Sequence, residues 1–235
     1  VYSYRNDPGA DGVGIAFFDA VAPDGGRLDL GTTSSARRRA EDWDLVESDL
    51  GVRIAAVRQV HGERVLVVDE ATDRPTLAWT PADALATTSA GVALAVRAAD
   101  CLPVLLADPD AGVVGAAHAG RVGLAAGVLA NLVETLRGLG AGRLRAWIGP
   151  HICGACYEVP EELQSEFVAV HPEALTRTSW GTPSLDLGAA AQAQLAALGC
   201  VVHRVDPCTF TTPTLHSYRR DGAAAGRQAG LVWLP

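Results

Sequence analysis

Two histidines and one cysteine stand at the ends of apolar runs in this chain. His61 closes the run 52–60, Cys101 falls between the runs 91–98 and 102–107, and His118 closes the run 113–117. Side chains at strand ends sit where loops open from a rigid scaffold, which is where sites usually form. Two imidazoles and a thiolate are also a ligand set that zinc prefers. Three protein ligands would leave a fourth coordination place for water or substrate, as in catalytic rather than structural sites. Packing or a local hydrogen bond is the plainer role for any one of the three. Their separations of 40 and 17 residues match no short zinc motif. A second chemistry uses the same residues without metal, with Cys101 as a nucleophile and His118 or His61 as its base.

Asp100 precedes Cys101 and is a candidate for proton transfer. Its alternative is a carboxylate that caps backbone groups. His118-Ala119-Gly120 leads into the longest apolar-periodic segment, and Gly120 permits close backbone approach. Free N–H groups at a helix start favour an anion, so an oxyanion or phosphate is the expected neighbour of the metal. Cys153-Gly154-Ala155-Cys156 is a C-x-x-C without the second pair that a zinc ribbon needs. It reads as a glycine-rich loop lining the site, with free thiols. His151, His171 and His203 read as surface, capping or hydrogen-bonded residues. The polar segment His216 to Asp221 reads as ligand-reaching or as an ordinary strand with one polar face. No G-x-S-x-G elbow, P-loop or G-x-G-x-x-G fingerprint occurs.

The elements that must position these groups are mostly strands. The runs 52–60, 91–98, 102–107, 113–117, 144–148, 201–205 and 230–234 are apolar and bounded by turn residues. Residues 64–69 follow Gly62 and read as the hairpin partner of 52–60. A long helix is expected over 122–139, with Leu124, Val128, Leu132 and Leu136 four apart on one face and Gly138 and Gly140 at its end. Further helices are expected from Pro160 and over 187–198. Strands and helices do not alternate strictly, which predicts α+β with a mixed sheet, in one domain spanning 1–235.

Composition narrows the function. Of 235 residues 49% are hydrophobic and 20% charged, as in a folded globular chain. The net charge is −8 and all 19 basic residues are Arg, with no basic stripe, which argues against nucleic acid. Arg37-Arg38-Arg39 reads as a solvated helix face. No 18-residue apolar stretch and no signal sequence are seen, and the five cysteines are an odd number. A cytoplasmic, reduced protein without a membrane anchor is expected.

Five motifs occur in order: Gln59-Val60-His61-Gly62, Ala99-Asp100-Cys101-Leu102-Pro103, Ala117-His118-Ala119-Gly120, Ile148-Gly149-Pro150 and Ser217-Tyr218-Arg219-Arg220-Asp221. Together they resemble the YfiH family, also called the laccase-domain or polyphenol-oxidase-type family, over nearly the whole chain. The resemblance implies an α+β fold of mixed sheets layered between helices (α/β/β/α), distantly like a group of cysteine hydrolases. It implies Zn2+ on His61, Cys101 and His118. It also implies phosphorolysis of adenosine, inosine, guanosine and methylthioadenosine, with adenosine deamination alongside. Purine nucleoside and phosphate are then the partners. Members are also linked to editing of peptidoglycan precursors, and older naming makes them copper (Cu2+) laccases. Six His without an H-x-H pair are a poor supply for several copper sites. Two departures stand out. The family's A-H-A-G-W-R-G becomes His118-Ala119-Gly120-Arg121-Val122-Gly123, which lacks the Trp and brings Arg121 one place forward. The family's N-L-G and N-R-x-R-L segments become Asp29-Leu30-Gly31 and 36–40, with Arg38 the equivalent anion-binding arginine.

Overall fold

The computed structural model describes residues 2–9, 12–22, 24–31, 36–72 and 74–235, without the side chains of 36, 38, 39 and 74–76. Arg38 therefore lies outside the described side chains.

Among the described residues thirteen strands form two large sheets and one small one. The five-stranded sheet runs in the order β1 (Tyr2–Asn6), β2 (Gly14–Phe18), β13 (Gln228–Trp233), β6 (Val92–Ala98), β3 (Arg53–Ala56). The six-stranded sheet runs β12 (Val201–Arg204), β9 (Arg145–Ile148), β7 (Leu102–Asp108), β8 (Val113–Ala119), β5 (Ala84–Thr87), β4 (Val65–Val67). A two-stranded ribbon, β10 (Leu175–Arg177) and β11 (Pro183–Leu185), stands apart. Both large sheets mix parallel and antiparallel pairs.

The strands alternate their side chains between two buried layers, so their apolar runs are nearly continuous. Leu105, Val114 and Trp147 of one sheet meet Phe17, Leu94 and Val232 of the other in a shared core. The outer face of the six-stranded sheet packs Val104, Leu106 and Ala117 against Leu124, Leu132 and Leu136, and against Leu187 and Leu195. Those residues come from α3 (Arg121–Ala126), α4 (Val128–Gly138) and α6 (Leu187–Ala197), beside α5 (Glu161–Val168). The outer face of the five-stranded sheet carries Val46 of α1 (Ala36–Leu50). The layering is thus α/β/β/α, an α+β fold with mixed sheets. Two short helices, α2 (Arg74–Trp79) and α7 (Tyr218–Asp221), lie in connections.

Three expectations are corrected. Residues 64–69 are not the hairpin partner of 52–60: β3 joins β6 in one sheet, while β4 joins β5 in the other. Two short apolar runs near a glycine look like a hairpin, but the connection carries the chain from sheet to sheet. The long helix is two helices, because Gly127 adopts φ +98 and ends α3 before α4 begins. Its apolar face is continuous all the same, since Leu124, Val128, Leu132 and Leu136 share one core. Finally, β8 continues through Ala119, so His118 lies inside a strand rather than beyond its end.

Candidate metal centre

Strand register brings the candidate ligands together. In the β7–β8 pair Leu102 faces Ala119, so the next step along the ladder sets Cys101 beside Gly120. In the β5–β8 pair Ala84 faces Ala117, so the next step sets Asp83 beside His118. The His118 N–H donates to the Asp83 carbonyl at 2.7 Å. The chain passes from one large sheet to the other through Ala99-Asp100-Cys101, between β6 and β7. His61 lies in the connection between β3 and β4, which also crosses from sheet to sheet.

One ligand atom each from His61, Cys101 and His118 lies within 4.8 Å of the other two. The Cys101 Sγ to His61 Nε2 distance is 3.8 Å. The two imidazoles meet edge to face with centroids 4.8 Å apart. His118 is buried, Cys101 half-buried and His61 exposed, so an ion held among them would be open on one side.

A buried carboxylate not singled out by the sequence organises this cluster. Asp83 is fully buried. Its Oδ1 lies 2.9 Å from His118 Nδ1. It also accepts the backbone N–H groups of Val60, His61 and Gly62 at 3.1, 2.9 and 2.8 Å. Burial would raise its pKa, but the His118 hydrogen bond and the loop N–H groups outweigh burial and hold it below the ordinary value. Burial in turn lowers the His118 pKa, against the opposing pull of Asp83. A neutral His118 that donates from Nδ1 to Asp83 leaves the Nε2 lone pair facing the cluster, the orientation that metal-binding histidines receive from a carboxylate partner.

Cys101 shows the opposite tendency. Burial, then the neighbouring Asp100 charge, push its thiol up to about 12. A thiol so placed is a weak nucleophile at neutral pH, whereas a cation beside it would favour the thiolate. The 3.8 Å separation from His61 is also long for a Cys–His catalytic pair.

The surroundings leave space for an ion. A Cβ at Gly120 would meet His61 Cδ2 at 2.9 Å and Cys101 Sγ at 3.0 Å, so only glycine fits there. A Cβ at Gly123 would meet the Gly62 carbonyl at 2.8 Å, so α3 packs its backbone directly on the His61 loop. His61 and Asp100 are the two non-glycine residues with left-handed backbone among those described, φ +60 and +88. Each costs on the order of 1–3 kcal/mol, and the strain is concentrated at this cluster. The residue types, the carboxylate-oriented histidine and the glycine cradle all fit a tetrahedral, thiophilic divalent ion.

The cluster opens on a cavity of about 640 Å³, a size suited to a small ligand. Arg58, Arg97, Arg219 and Arg227 line it, with Tyr157, Tyr218 and Gln59. Gln59 grips the β6 end: its Oε1 accepts the Arg97 N–H and its Nε2 donates to the Arg97 carbonyl. Arg97 donates to the Val57 carbonyl at 2.7 Å. Arg227 bonds the carbonyls of Ala225 and Gly226, and its charge acts on Cys101. Asp100 lines the cavity with both carboxylate oxygens engaged, Oδ1 by the Thr209 hydroxyl and Oδ2 by the Arg219 N–H, each at 2.6 Å.

The other anticipated residues are placed as follows. Arg121 opens α3 and acts on the Tyr157 hydroxyl, which it keeps from rising as far as burial alone would take it. Arg121 and Gly120 are not among the residues that line the cavity. The helix after Gly120 has six residues, so its dipole is shorter than the long segment implied. The loop 153–157 contributes Tyr157 to the cavity; Cys153 and Cys156 do not line it. All five cysteines are free thiols. His151 is buried and donates to the Gly149 carbonyl, while His203 stacks on Trp147. His171 precedes the short 3₁₀ turn at Pro172. A second cavity of about 760 Å³, beside Phe210, Leu215 and His216, contains none of the three ligands. The polar segment 217–221 is not a strand: it forms α7, capped by the Ser217 hydroxyl on the Arg220 N–H.

The fold and site define an α/β/β/α protein with a His-Cys-His cluster built from two sheet-to-sheet connections and strand β8. The model of the multi-copper polyphenol oxidoreductase laccase family matches residues 26–235, and the chain belongs to this family, the YfiH family of the sequence motifs. A purine nucleoside phosphorylase of Streptomyces griseus is 52% identical over 182 residues, 76% of this chain and 73% of that protein. One of Streptomyces coelicolor is 49% identical over 198 residues, covering 81% and 80%. Among solved structures, a Neisseria meningitidis protein of the DUF152 family matches with TM-score 0.82 at 32% identity, covering 98% of this chain and 97% of that one. The YfiH protein of Bacillus licheniformis matches with TM-score 0.83 at 25% identity, covering 95% and 93%. Among the described residues no helix is long and apolar enough to cross a membrane.

Proposed function

We propose that this chain is a zinc-dependent purine nucleoside phosphorylase, acting on adenosine, inosine, guanosine and methylthioadenosine and deaminating adenosine as a side activity. The observation that carries the reading is the joining of the His61–Cys101–His118 cluster to a cavity lined by four arginines. The names of the relatives at 52% and 49% identity support the reaction class. A cytoplasmic setting, where nucleosides and phosphate are both available, suits it.

In phosphorolysis a phosphate oxygen forms a bond to C1′ of the ribose as the bond from C1′ to the purine nitrogen breaks. The incoming phosphate is anionic and must be held against the sugar. Arg227 and its neighbours in the cavity wall offset that charge and orient the anion. The sequence motifs assign further anion contacts to Arg38, Gly120 and Arg121, of which Gly120 and Arg121 lie outside the cavity lining. Tyr157 and Tyr218 offer flat faces to the purine. Asp100 could move a proton only on giving up Thr209 or the Arg219 N–H, so its first role is to hold the wall in place. His61, Cys101 and His118 would hold the ion, which when bound supplies a Lewis acid at the cavity floor. Asp83 keeps His118 in the neutral tautomer that such binding needs.

The oxidase reading in the family description requires several copper centres. Six histidines serve this chain, and the described residues gather only two of them with a cysteine. The test is phosphate-dependent release of hypoxanthine from inosine, with metal analysis of the same sample. His61→Ala and Cys101→Ala should lose metal and turnover together. Full turnover by metal-stripped protein would overturn the zinc assignment, and turnover independent of phosphate would overturn the reaction.

A further inference from the structure

A second sulfur cluster lies outside the cavity. Cys153, Cys156 and Cys208 bring their Sγ atoms within 4.8 Å of one another. Around a tetrahedral zinc ion with Zn–S near 2.3 Å, sulfurs sit roughly 3.8 Å apart, so a small contraction would complete such a shell. The framework that holds the sulfurs is backbone. The Thr209 N–H donates to the His151 carbonyl at 3.0 Å, and His151 and Cys208 form a bridge. The N–H groups of Cys156 and Tyr157 both turn back to the Cys153 carbonyl at 3.0 Å. Gly154 presses on its neighbours so closely that a Cβ would meet Thr176 at 2.8 Å and Asp186 at 2.9 Å.

A hydrogen bond ties the two ends of the cluster together: the Cys153 N–H donates to Cys208 Sγ at 3.4 Å, as N–H groups do around metal-bound thiolates.

We propose that Cys153, Cys156 and Cys208 bind a second metal ion, a thiophilic d10 cation for which zinc is the probe, in a three-sulfur shell with its fourth place left to solvent. The ion clips the loop 151–157 to the segment 206–212. Thr209 and Ile152 from these two stretches both bond Asp100, through its Oδ1 and its carbonyl. The clip thus braces the cavity wall next to Cys101 without belonging to it.

The experiment reconstitutes reduced wild-type protein with zinc alone and counts ions per chain. Two ions are expected in wild type, and one in each of Cys156→Ser, Cys208→Ser and His61→Ala. Because His61→Ala empties only the cavity cluster, failure of either assignment is told from failure of the other. Should the serine variants not fold, wild-type protein decides: iodoacetamide labelling with peptide mapping should find Cys153 and Cys208 protected by zinc and freed by chelator. Equal labelling with and without zinc, folded Cys156→Ser and Cys208→Ser variants that keep two ions, or a disulfide among the three cysteines in protein freshly isolated under reducing conditions would each overturn the second site.

Discussion

The Asp83 carboxylate stands 2.9 Å from His118 Nδ1 and at the same time receives three N–H groups from the Val60-His61-Gly62 loop. One buried anion thus fixes two of the three candidate ligands, one through its ring and the other through its backbone. Asp83→Asn keeps the shape but offers an amide that can donate to Nδ1 and force the proton onto Nε2. Zinc affinity should fall about 10–100-fold, read by titration against a competing chelator. Unchanged affinity would mean that His118 is oriented by other contacts.

Glycine at 120 is required by the closeness of His61 and Cys101. Gly120→Ala should eject the metal from an otherwise folded chain, because its methyl would stand 2.9 Å from one ligand and 3.0 Å from the other. Gly138→Ala is the comparator, with nothing within 4 Å of its Cβ at the end of α4. That change should be neutral or stabilising by up to ~1 kcal/mol, with full metal content. Circular dichroism and metal analysis of the pair check both statements.

Arg227 is the cavity arginine whose charge reaches Cys101. Replacing it by Gln should raise the phosphate KM about tenfold or more, the worth of a charge-assisted hydrogen bond. Steady-state rates at varied phosphate decide the matter, and a rise confined to the nucleoside KM would place the anion elsewhere.

Asp108 offers a pH test away from the site. Burial would raise its pKa, but the N–H groups of Arg143 and Gly142, both 2.7 Å from Oδ2, bring it below 3.8. A depressed folded pKa gives stability that is complete above the unfolded value and is lost as pH falls through the folded one. Asp108→Asn should therefore cost about 1–2 kcal/mol at pH 7. The gap between mutant and wild type should narrow below about pH 4. Urea melts at the two pH values measure it, and a constant gap would count against the argument.

Much of the core was legible because burial on both faces leaves a mark. The runs at β6, β7, β8 and β9 are continuous in Val, Leu, Ala and Ile, and they form the centre of the molecule. Strand β5 went unread because Ala84-Leu85-Ala86-Thr87 is short and rich in alanine, a residue with little strand preference. Helix α1 is strongly charged, and among its described side chains Val46 is the one fully buried apolar residue, with Asp42 buried beside it, so its apolar period is faint. Gly127 broke a helix whose apolar face ran on unbroken, since periodicity reports a face and not the continuity of the backbone. The ligand types at 61, 101 and 118 could be read from chemistry. Asp83 could not, because its partners lie 21 to 35 residues away and meet it only through strand register. The nearest signal was Pro81-Ala82-Asp83 ahead of the apolar Ala84-Leu85-Ala86.

Strand β13 occupies the middle of the five-stranded sheet, between β2 and β6. During synthesis the ribosome makes both of its neighbours long before it makes residues 228–233. Until those residues clear the exit tunnel, β2 and β6 display bare ladder edges to the crowded cell, and such edges invite pairing between nascent chains. The chain's need for chaperones should thus last until residues 228–233 have emerged and filled the gap.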